Sequence, residues 1–304
     1  MTNKVYDIVA DQIINALDNN VVPWRRPWAL RGGDIARNRW NKPYRGINVF
    51  LLSMEKMLKG YSSNFWMTYN QVEKLGGRVR EGEKSTFVIF WKLFEVESKN
   101  EMNETTKKRI PVLRYFRVFN LDQTHDVKLT RAMKAESEPQ PEGIEFNPLD
   151  DAEAIMSTYL AREDAPRFVE GGNVASYQPK TDVVTVPRRE QFSTPEEYYS
   201  TVFHEFSHST GHTDRVGRKG IMEFDHFGSG QYGEEEFVAE LTAAFGCADA
   251  GIDNTRDNSV AYIQGWSAKI KADKQIVVKA AAAAQKAWDF ISDYQYEANN
   301  EDDD

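Results

Sequence analysis

The sequence predicts an α+β protein with two domains, and three observations support that fold class. Residues 4–19 and 47–60 carry apolar side chains at helical spacing, so each is expected to form an amphipathic helix. Residues 86–124 alternate as two antiparallel strands around a polar hairpin tip at 99–108, which predicts a small antiparallel sheet. Later in the chain, helical segments flank a strand pair within 175–186. At 304 residues the chain can bury two cores.

Charge is distributed unevenly along the chain. Residues 1–135 contain 24 Lys and Arg against 14 Asp and Glu, a net charge of +10, and the rest contain 14 against 33, a net charge of −19. The sign changes across a Pro- and acid-rich segment that is typical of a linker. We therefore predict a domain at 1–133, a linker at 134–150 and a second domain at 151–304. The basic first domain favours a polyanion as its partner.

Cysteine content and hydropathy indicate the cellular compartment in which the protein is expected. The chain contains one cysteine, Cys247, so no internal disulfide can form. Because the sequence also shows no signal peptide, we expect a protein of the reducing cytoplasm. No apolar run approaches the roughly 18 residues of a membrane span, so no membrane partner is expected.

The stretch from Thr194 to Gly211 is predicted to form one helix with defined ends. Thr194 can cap the first turn, and Pro195 suits the first helical position. Glu197 completes a capping box three residues after the cap. Gly211 is a natural stop.

This helix contains the H-E-x-x-H pattern as His204, Glu205 and His208. Residues four apart share a helix face, so both imidazoles can reach one cation. Glu205, one position round, can take a proton from a metal-bound water. A divalent metal, zinc above all, is therefore expected. The alternative is two hydrogen-bonded histidines on an ordinary amphipathic helix, but only five histidines occur in the chain.

A third ligand is needed, because zinc sites of this kind take three protein ligands and leave one position for water. The next predicted helix, GEEEFVAELTAAFGCADAG from residue 233, places Glu236 and Glu240 on one face. We assign Glu236 as the ligand and Glu240 as the carboxylate that holds a histidine ring, although the two roles can be exchanged. The neighbouring Glu234 and Glu235 are expected on a solvated face.

A second assignment of the third ligand lies in HEFSHSTGHTD itself. Gly211 and Asp214 fall where metzincins place their glycine turn and third ligand, with Asp in place of the usual His. His212 lies near the same position. This alternative stays open at the level of the sequence.

Aromatic and basic residues are interleaved in two stretches of the first domain, VVPWRRPW from residue 21 and RNRWNKPYRGINVF from residue 37. Such a mixture suits single-stranded nucleic acid, because bases stack on the rings while the cations contact phosphates. The alternative is a Trp-rich core with a solvated basic rim.

Together these segments resemble the antirestriction protein ArdC family from about residue 5 to 293. In the N-terminal half the resemblance is carried by VPWRRPW, NKPYRGIN, FWMTYNQVEKLGGRVREGEKS and YFRVFNLDQT. In the C-terminal half it is carried by YQPKTDVVTVP, YYSTVFHEFSHSTGHTDR, GEEEFVAELTAAFG and YIQGW.

The resemblance implies an N-terminal α+β domain that binds single-stranded DNA and a C-terminal zincin-like α+β metallopeptidase domain. It also implies carriage on plasmids or other mobile elements, where the protein protects incoming DNA from host restriction. His204, Glu205 and His208 match the family motif, and the acidic third ligand falls on the GEEEFVAE helix.

The DNA-binding role is carried over to side chains of suitable chemistry in the matching segments. These are Trp24, Arg25, Arg26, Trp28, Tyr44, Arg45, Asn48, Trp66, Tyr69, Arg78, Arg80 and Lys84. Among them, Trp66 and Asn48 are the most suited to a structural role instead.

These expectations describe an antirestriction protein that binds single-stranded DNA non-specifically and carries a Zn²⁺-dependent peptidase-type site, with another divalent metal possible and an unknown protein substrate. The alternative is a non-catalytic protein that coats single strands and uses the metal as a structural staple. A metal-dependent nuclease is a weaker hypothesis, because H-E-x-x-H suits peptide hydrolysis and the basic surface lies in the other domain.

Overall fold

The computed structural model describes residues 2–19, 21–24, 35–99, 105–137, 148–218, 221, 230–252 and 260–295. The described helices are α1 (Thr2–Asp18), α2 (Ile47–Lys59), α3 (Tyr69–Lys74), α4 (Arg131–Ser137), α5 (Pro148–Leu160), α6 (Pro195–Thr210), α7 (Gly230–Asp249), α8 (Val260–Ala272) and α9 (Ile276–Ile291). The described strands are β1 (Trp66–Thr68), β2 (Arg78–Val79), β3 (Thr86–Lys99), β4 (Thr105–Asn120), β5 (Thr124–His125), β6 (Arg167–Glu170), β7 (Ser176–Gln178) and β8 (Val183–Val186). The predicted α+β class is confirmed.

The described residues divide into two compact units. Unit one takes them from 1–23, 35–142 and 260–278, and unit two takes Trp24 together with those from 143–259 and 279–304. Unit one thus includes 260–278, where α8 packs on α1, and the domain bounds predicted from the sequence stay a prediction.

Unit one is built on an antiparallel sheet with strand order β1-β4-β3, beside a small β2-β5 ladder. The β3–β4 pairing runs from Thr86 opposite Val118 to Lys99 opposite Thr105. The predicted hairpin tip at 99–108 was therefore too long, because residues 105–108 already belong to β4. Polar residues can pair in this way wherever their backbone meets a partner strand.

The core of unit one lies between α2 and this sheet. Leu52 and Trp66 pack with Val88 and Val118 in a cluster of buried side chains. Because β3 is an edge strand among the described residues, its outer backbone groups need other partners. Asn48 on α2 supplies them for Ile89, since its side-chain amide donates to the Ile89 C=O and accepts from the Ile89 N–H, both at 2.8 Å.

Unit two contains a three-stranded sheet with order β6-β8-β7. The central strand β8 pairs in parallel with β6 and in antiparallel with β7. The predicted strand pair within 175–186 is confirmed as β7 and β8, whereas β6 was not expected.

Helices α6 and α7 pack closely together in unit two. Gly246 on α7 allows this approach, because a Cβ at that position would lie within 2.9 Å of the Phe203 and Trp288 rings. A buried hydrogen bond of 2.9 Å from Ser207 to Thr242 also joins the two helices. In the part of the chain that the structure describes, no helix has both the length and the hydropathy needed to cross a bilayer.

Candidate metal centre and nucleic-acid surface

The ends of α6 follow from its sequence, although not in every detail. Thr194 accepts a hydrogen bond of 3.3 Å from the Glu197 N–H, as expected. The Glu197 carboxylate bonds to the N–H of Ser193 rather than to that of the cap residue. Gly211 ends the helix in the right-handed region with φ −71°. Glycine is needed there because a Cβ would collide with the side chain of Ile221.

The two histidines of the motif meet on one face of α6. Their Nε2 atoms lie 3.2 Å apart, and their rings are nearly perpendicular. Phe203 and Phe206 are fully buried and anchor α6 in the core of unit two. His204 and His208 are thus held one turn apart with their Nε2 atoms converging.

Glu236 on α7 completes a group of three potential ligands with His204 and His208, whose donor atoms all lie within 4.8 Å of one another. One carboxylate oxygen is 3.6 Å from His204 Nε2, and the other is 3.5 Å from His208 Nε2. Two nitrogens each about 2.0–2.1 Å from one zinc ion at the tetrahedral angle would be roughly 3.3 Å apart. The donor set and its spacing therefore fit a divalent metal.

Glu205 is 7% exposed and lies beside this group. Burial raises the pKa of its carboxyl above the ordinary value, while the two imidazoles and a hydrogen bond to the Tyr177 backbone act in the opposite direction. A buried carboxylate with a raised pKa has the properties of a general base near neutral pH.

His204 and Glu236 also influence each other electrostatically. Burial alone would lower the pKa of His204, but the carboxylates of Glu236, Glu240 and Glu205 together outweigh that effect and raise it. The carboxylates that favour the charged form of His204 would also favour a cation at this position.

Glu235, which the sequence placed on a solvated face, is only 5% exposed, so that expectation was wrong. Its carboxylate receives hydrogen bonds from Arg218 through Nε and Nη2, and Oε1 lies 3.7 Å from His208 Nδ1. Although burial alone would raise the pKa of Glu235, His208 and Arg218 lower it. Glu235 is thus the ionised carboxylate that faces the rear nitrogen of a candidate ligand.

Arg218 connects this carboxylate to the end of α6. Its Nη1 donates to Thr210 Oγ1 at 2.6 Å, and its Nη2 donates to the Ser207 carbonyl at 2.7 Å. Arg218 and Glu235 therefore fasten the last turn of α6 to the first turns of α7. Because Glu236 is the next residue, this clamp also fixes the approach of the third potential ligand.

The other candidate ligands lie outside the group of three that the structure brings together. Glu240 contributes to the field at His204 but is not one of the converging donors. The Asp214 side chain is 77% exposed and lies 3.5 Å from His212 Nδ1. Among the described residues, the geometry thus favours Glu236 over Asp214 as the third ligand.

An ion-pair network holds β7 beside α6. Arg215 is almost fully buried and pairs with Asp182, which accepts a hydrogen bond of 2.8 Å from the Tyr177 hydroxyl. Arg215 also donates to the carbonyl of Ser209 in α6 at 2.7 Å. Strand β7, whose backbone contacts Glu205, is thereby connected to α6.

Several residues predicted to contact DNA are part of a core instead. Trp24 is buried in unit two, where its ring meets Phe237 edge to face at 5.0 Å. Asn48 and Trp66 are buried in unit one, which agrees with the structural role allowed for them. Tyr44 is 9% exposed, and its hydroxyl donates to the Trp66 carbonyl at 3.4 Å. A buried ring offers no face to a base, so Trp24 and Trp66 are corrected to core residues.

Other predicted DNA contacts lie on the surface of unit one. Tyr69 is 51% exposed, Arg45 is partly exposed, and the exposed cations are Arg78, Arg80 and Lys84. Arg25, Arg26 and Trp28 lie outside the described residues.

The structure also exposes aromatic and basic residues that sequence reasoning did not assign to DNA. Trp40 is 39% exposed, and the Arg39 guanidinium lies 4.5 Å from its ring centroid. Phe90, Tyr115 and Phe116 are exposed on the β3–β4 hairpin. In the sequence, these three residues are part of strands that carry apolar side chains on both faces. Such a pattern does not show which face is buried in the core and which is exposed.

Comparison with known proteins places the chain in a family. Residues 3–119 match the family model for the N-terminal domain of anti-restriction factor ArdC, and residues 152–283 match that of a zincin-like metallopeptidase. The metal-free crystal structure of antirestriction protein ArdC from the R388 plasmid is 32% identical with a TM-score of 0.72, and the match covers 96% of this chain and 99% of that one. The chain belongs to the antirestriction protein ArdC family. The zincin-like fold expected for the C-terminal half is confirmed.

The same R388 protein is known in a Mn(II)-bound crystal structure, which matches with 31% identity and a TM-score of 0.71 over 95% of this chain and 99% of that one. This relative and the donor set described above support a divalent metal in the family site.

Longer relatives also contain a region like this chain. A DNA primase TraC of Escherichia coli is 31% identical over 94% of this chain, and a second is 30% identical over 94%. The chain spans only 20% and 27% of the length of these two proteins. Protein y4eC of Sinorhizobium fredii is 29% identical, with 97% of this chain and 93% of that protein matched.

Proposed function

We propose that this antirestriction-family protein binds single-stranded DNA through unit one and hydrolyses peptide bonds at a zinc site in unit two. The observation that carries the proposal is the convergence of His204, His208 and Glu236 beside the buried Glu205. In the cell, the protein would protect DNA that enters the cytoplasm on a mobile element, where host restriction acts.

For the peptidase, His204, His208 and Glu236 would hold the metal, which would polarise a peptide carbonyl and make a water more acidic. Glu205 then accepts the proton of the attacking water, and the same carboxyl delivers a proton to the leaving amine. Glu235 and Arg218 keep His208 and the third ligand in place throughout. Zinc is favoured because two imidazoles and one carboxylate form a common catalytic zinc donor set.

The edge strand β7 suits an extended peptide substrate. It pairs with β8 on one side and forms an edge of the described sheet on the other. Its Tyr177 contacts Glu205 through the backbone, so a substrate that added a strand there would pass the general base.

For DNA binding, the support is the exposure of rings and cations in one unit. Tyr69 and Trp40 are exposed aromatic residues, and Arg39, Arg78 and Arg80 lie at or near the surface. Bases stack on exposed rings while cations contact phosphates, without reading the sequence. Affinity should therefore decrease steeply with salt.

The decisive variant is Glu205→Ala, because Glu205 is not one of the three ligands. We expect purified wild type and variant to contain equal zinc and to bind oligothymidine equally, while only wild type cleaves peptides in a proteome-derived library. Loss of a general base should reduce cleavage by about 10²–10⁴-fold. Absence of cleavage by zinc-loaded wild type over the whole library would contradict the peptidase assignment.

A second function is favoured by one observation: the three potential ligands bridge α6 and α7, as those of a structural staple would. In that case the protein coats single strands without catalysis. Transfer of a restriction-sensitive plasmid into a restricting host separates the two. Protection that is lost with Glu205→Ala requires hydrolysis, whereas protection that is retained assigns it to coating.

A further inference from the structure

Two phenylalanines on the β3–β4 hairpin are exposed, although other positions on the same face of the sheet belong to the core. Phe90 is 39% exposed and Phe116 is 45% exposed, while Val88 and Val118 are buried. The register pairs Val88 with Phe116 and Phe90 with Arg114, so all five residues share one face. Among the described side chains of this face, the buried part therefore ends at Val88 and is followed by exposed rings.

The two rings continue into a third that is anchored in the core. The Phe90 and Phe116 centroids are 5.7 Å apart with an interplanar angle of 69°, and the Tyr44 ring lies 6.3 Å from Phe90. We call Tyr44, Phe90 and Phe116 the ring strip. Because Tyr44 is nearly buried and bonds to the Trp66 carbonyl, the strip has a fixed inner end and two exposed outer rings.

Two described cations lie next to the ring strip, one in the strand register and one in the sequence. Arg114 stands directly opposite Phe90 on β4 and is exposed, and Arg45 follows Tyr44 in the chain. Residues 1–135 carry 24 basic against 14 acidic side chains. A single-stranded nucleic acid offers a flat base and one negative phosphate in each nucleotide. It therefore fits this surface better than an apolar protein face does.

We propose that Phe90 and Phe116, the exposed rings of the strip, and Arg114 form the surface on which unit one stacks the bases of single-stranded DNA, with Tyr44 as the buried anchor. This proposal rests on the DNA-binding function proposed above and locates it on the core-side face of the hairpin, beyond the buried Val88 and Val118. Duplex DNA presents few base faces, because its bases are already stacked on one another. The surface should therefore bind single-stranded DNA in preference to duplex DNA.

The hairpin supplies its own matched control on the opposite face. Tyr115 is 48% exposed and pairs with Ile89, and the exposed Arg117 pairs with Phe87. These residues have the same chemistry, the same strand and similar exposure, but they point away from the ring strip.

The test uses the full chain and a short fluorescein-labelled oligothymidine, with anisotropy read over a salt series. We expect Phe90→Ala and Phe116→Ala each to weaken binding about tenfold, as the loss of one stacked base does. Tyr115→Ala should stay within about twofold of wild type. Arg114→Gln should reduce the slope of log K against log salt by about 0.7, the value for one phosphate contact with a single strand. Thermal midpoints check that the variants are folded.

The outcomes separate this proposal from the function on which it rests. If wild type binds and the phenylalanine variants behave like Tyr115→Ala, the ring strip is wrong and DNA binding by unit one stands. If wild type does not bind the oligonucleotide, the DNA-binding function fails and the ring strip fails with it. An equal loss of affinity for a duplex of the same length would overturn base stacking as the mode of contact.

Discussion

The candidate metal centre and the candidate DNA surface are organised in opposite ways. In the metal centre each polar group is held by the next: Glu235 faces His208, and Arg218 fastens Glu235 to the end of α6. On the DNA surface, Phe90 and Phe116 lie exposed on a single hairpin. A small ion needs ligands fixed in advance, whereas a flexible strand can adjust to separate contacts. One substitution should therefore abolish metal binding but only weaken DNA binding.

The largest effect should come from removing a ligand. We expect His208→Ala to lower the affinity for Mn²⁺ and Zn²⁺ by more than about a hundredfold, because even an outer partner of a ligand is worth 10–100-fold. Isothermal titration calorimetry measures the metal affinity of the wild type and the variant. His212→Ala is the matched control, since His212 lies at the end of the same segment beside Asp214. A comparable loss with His212→Ala or Asp214→Ala would restore the alternative ligand assignment.

A smaller effect on the same affinity should come from the clamp. Glu235→Gln keeps the shape of the side chain but removes the charge that faces His208 and Arg218. We expect metal affinity to fall by about 10–100-fold. Glu234→Gln changes the neighbouring exposed residue and should leave affinity unaltered. Equal affinities for the two variants would show that the clamp does not act on the ligands.

Much of the metal centre could be predicted because its geometry is local. The spacing of His204 and His208 within one helix fixes the relation of their rings, whatever the rest of the fold. The role of Glu235 could not be predicted, because three successive glutamates on a helix point in three directions. Only the packing of α7 decides which of them faces His204, which faces Arg218 and which faces solvent. Arg218 has no sequence pattern that connects it to His208 at all.

The candidate DNA surface was harder to predict from the sequence, because the exposure of a side chain is a property of the fold. Trp24 and Trp66 have the right chemistry for stacking, but both are buried. Phe90 and Phe116 look like core residues in the sequence, yet they extend past the edge of the core. Composition identified unit one as the basic unit, and only the register of β3 and β4 shows which rings are accessible.

In each unit, polar side chains form contacts that fix an edge strand in place. These contacts give two predictions on stability. In unit one, Asn48→Ala would leave the N–H and C=O of Ile89 without their partners. We expect the free energy of unfolding to fall by about 1–3 kcal/mol, measured by urea denaturation. The exposed Asn70 is the control, because Asn70→Ala should change stability by less than about 0.5 kcal/mol. A destabilisation as small as that of the control would mean that α2 does not depend on the edge of β3.

In unit two the corresponding contact is charged, so it should depend on pH. Burial alone would raise the pKa of Asp182, but hydrogen bonds from Arg215 and Tyr177 hold it below the ordinary value. A carboxyl with a lowered folded pKa stabilises the protein fully above its unfolded pKa of about 3.9, and this contribution is lost as the pH falls through the folded value.

Asp182→Asn should therefore lower the free energy of unfolding near neutral pH, by about 1 kcal/mol and less than Asn48→Ala, and the difference from wild type should shrink in acid. Urea denaturation of both proteins at about pH 7 and about pH 3 measures that difference, while other carboxyl groups titrate equally in both. The Asn48→Ala difference should stay constant over the same range, since an amide does not titrate. If the Asp182→Asn difference is equally constant, the Arg215 contact holds β7 by hydrogen bonding alone and its charge contributes nothing.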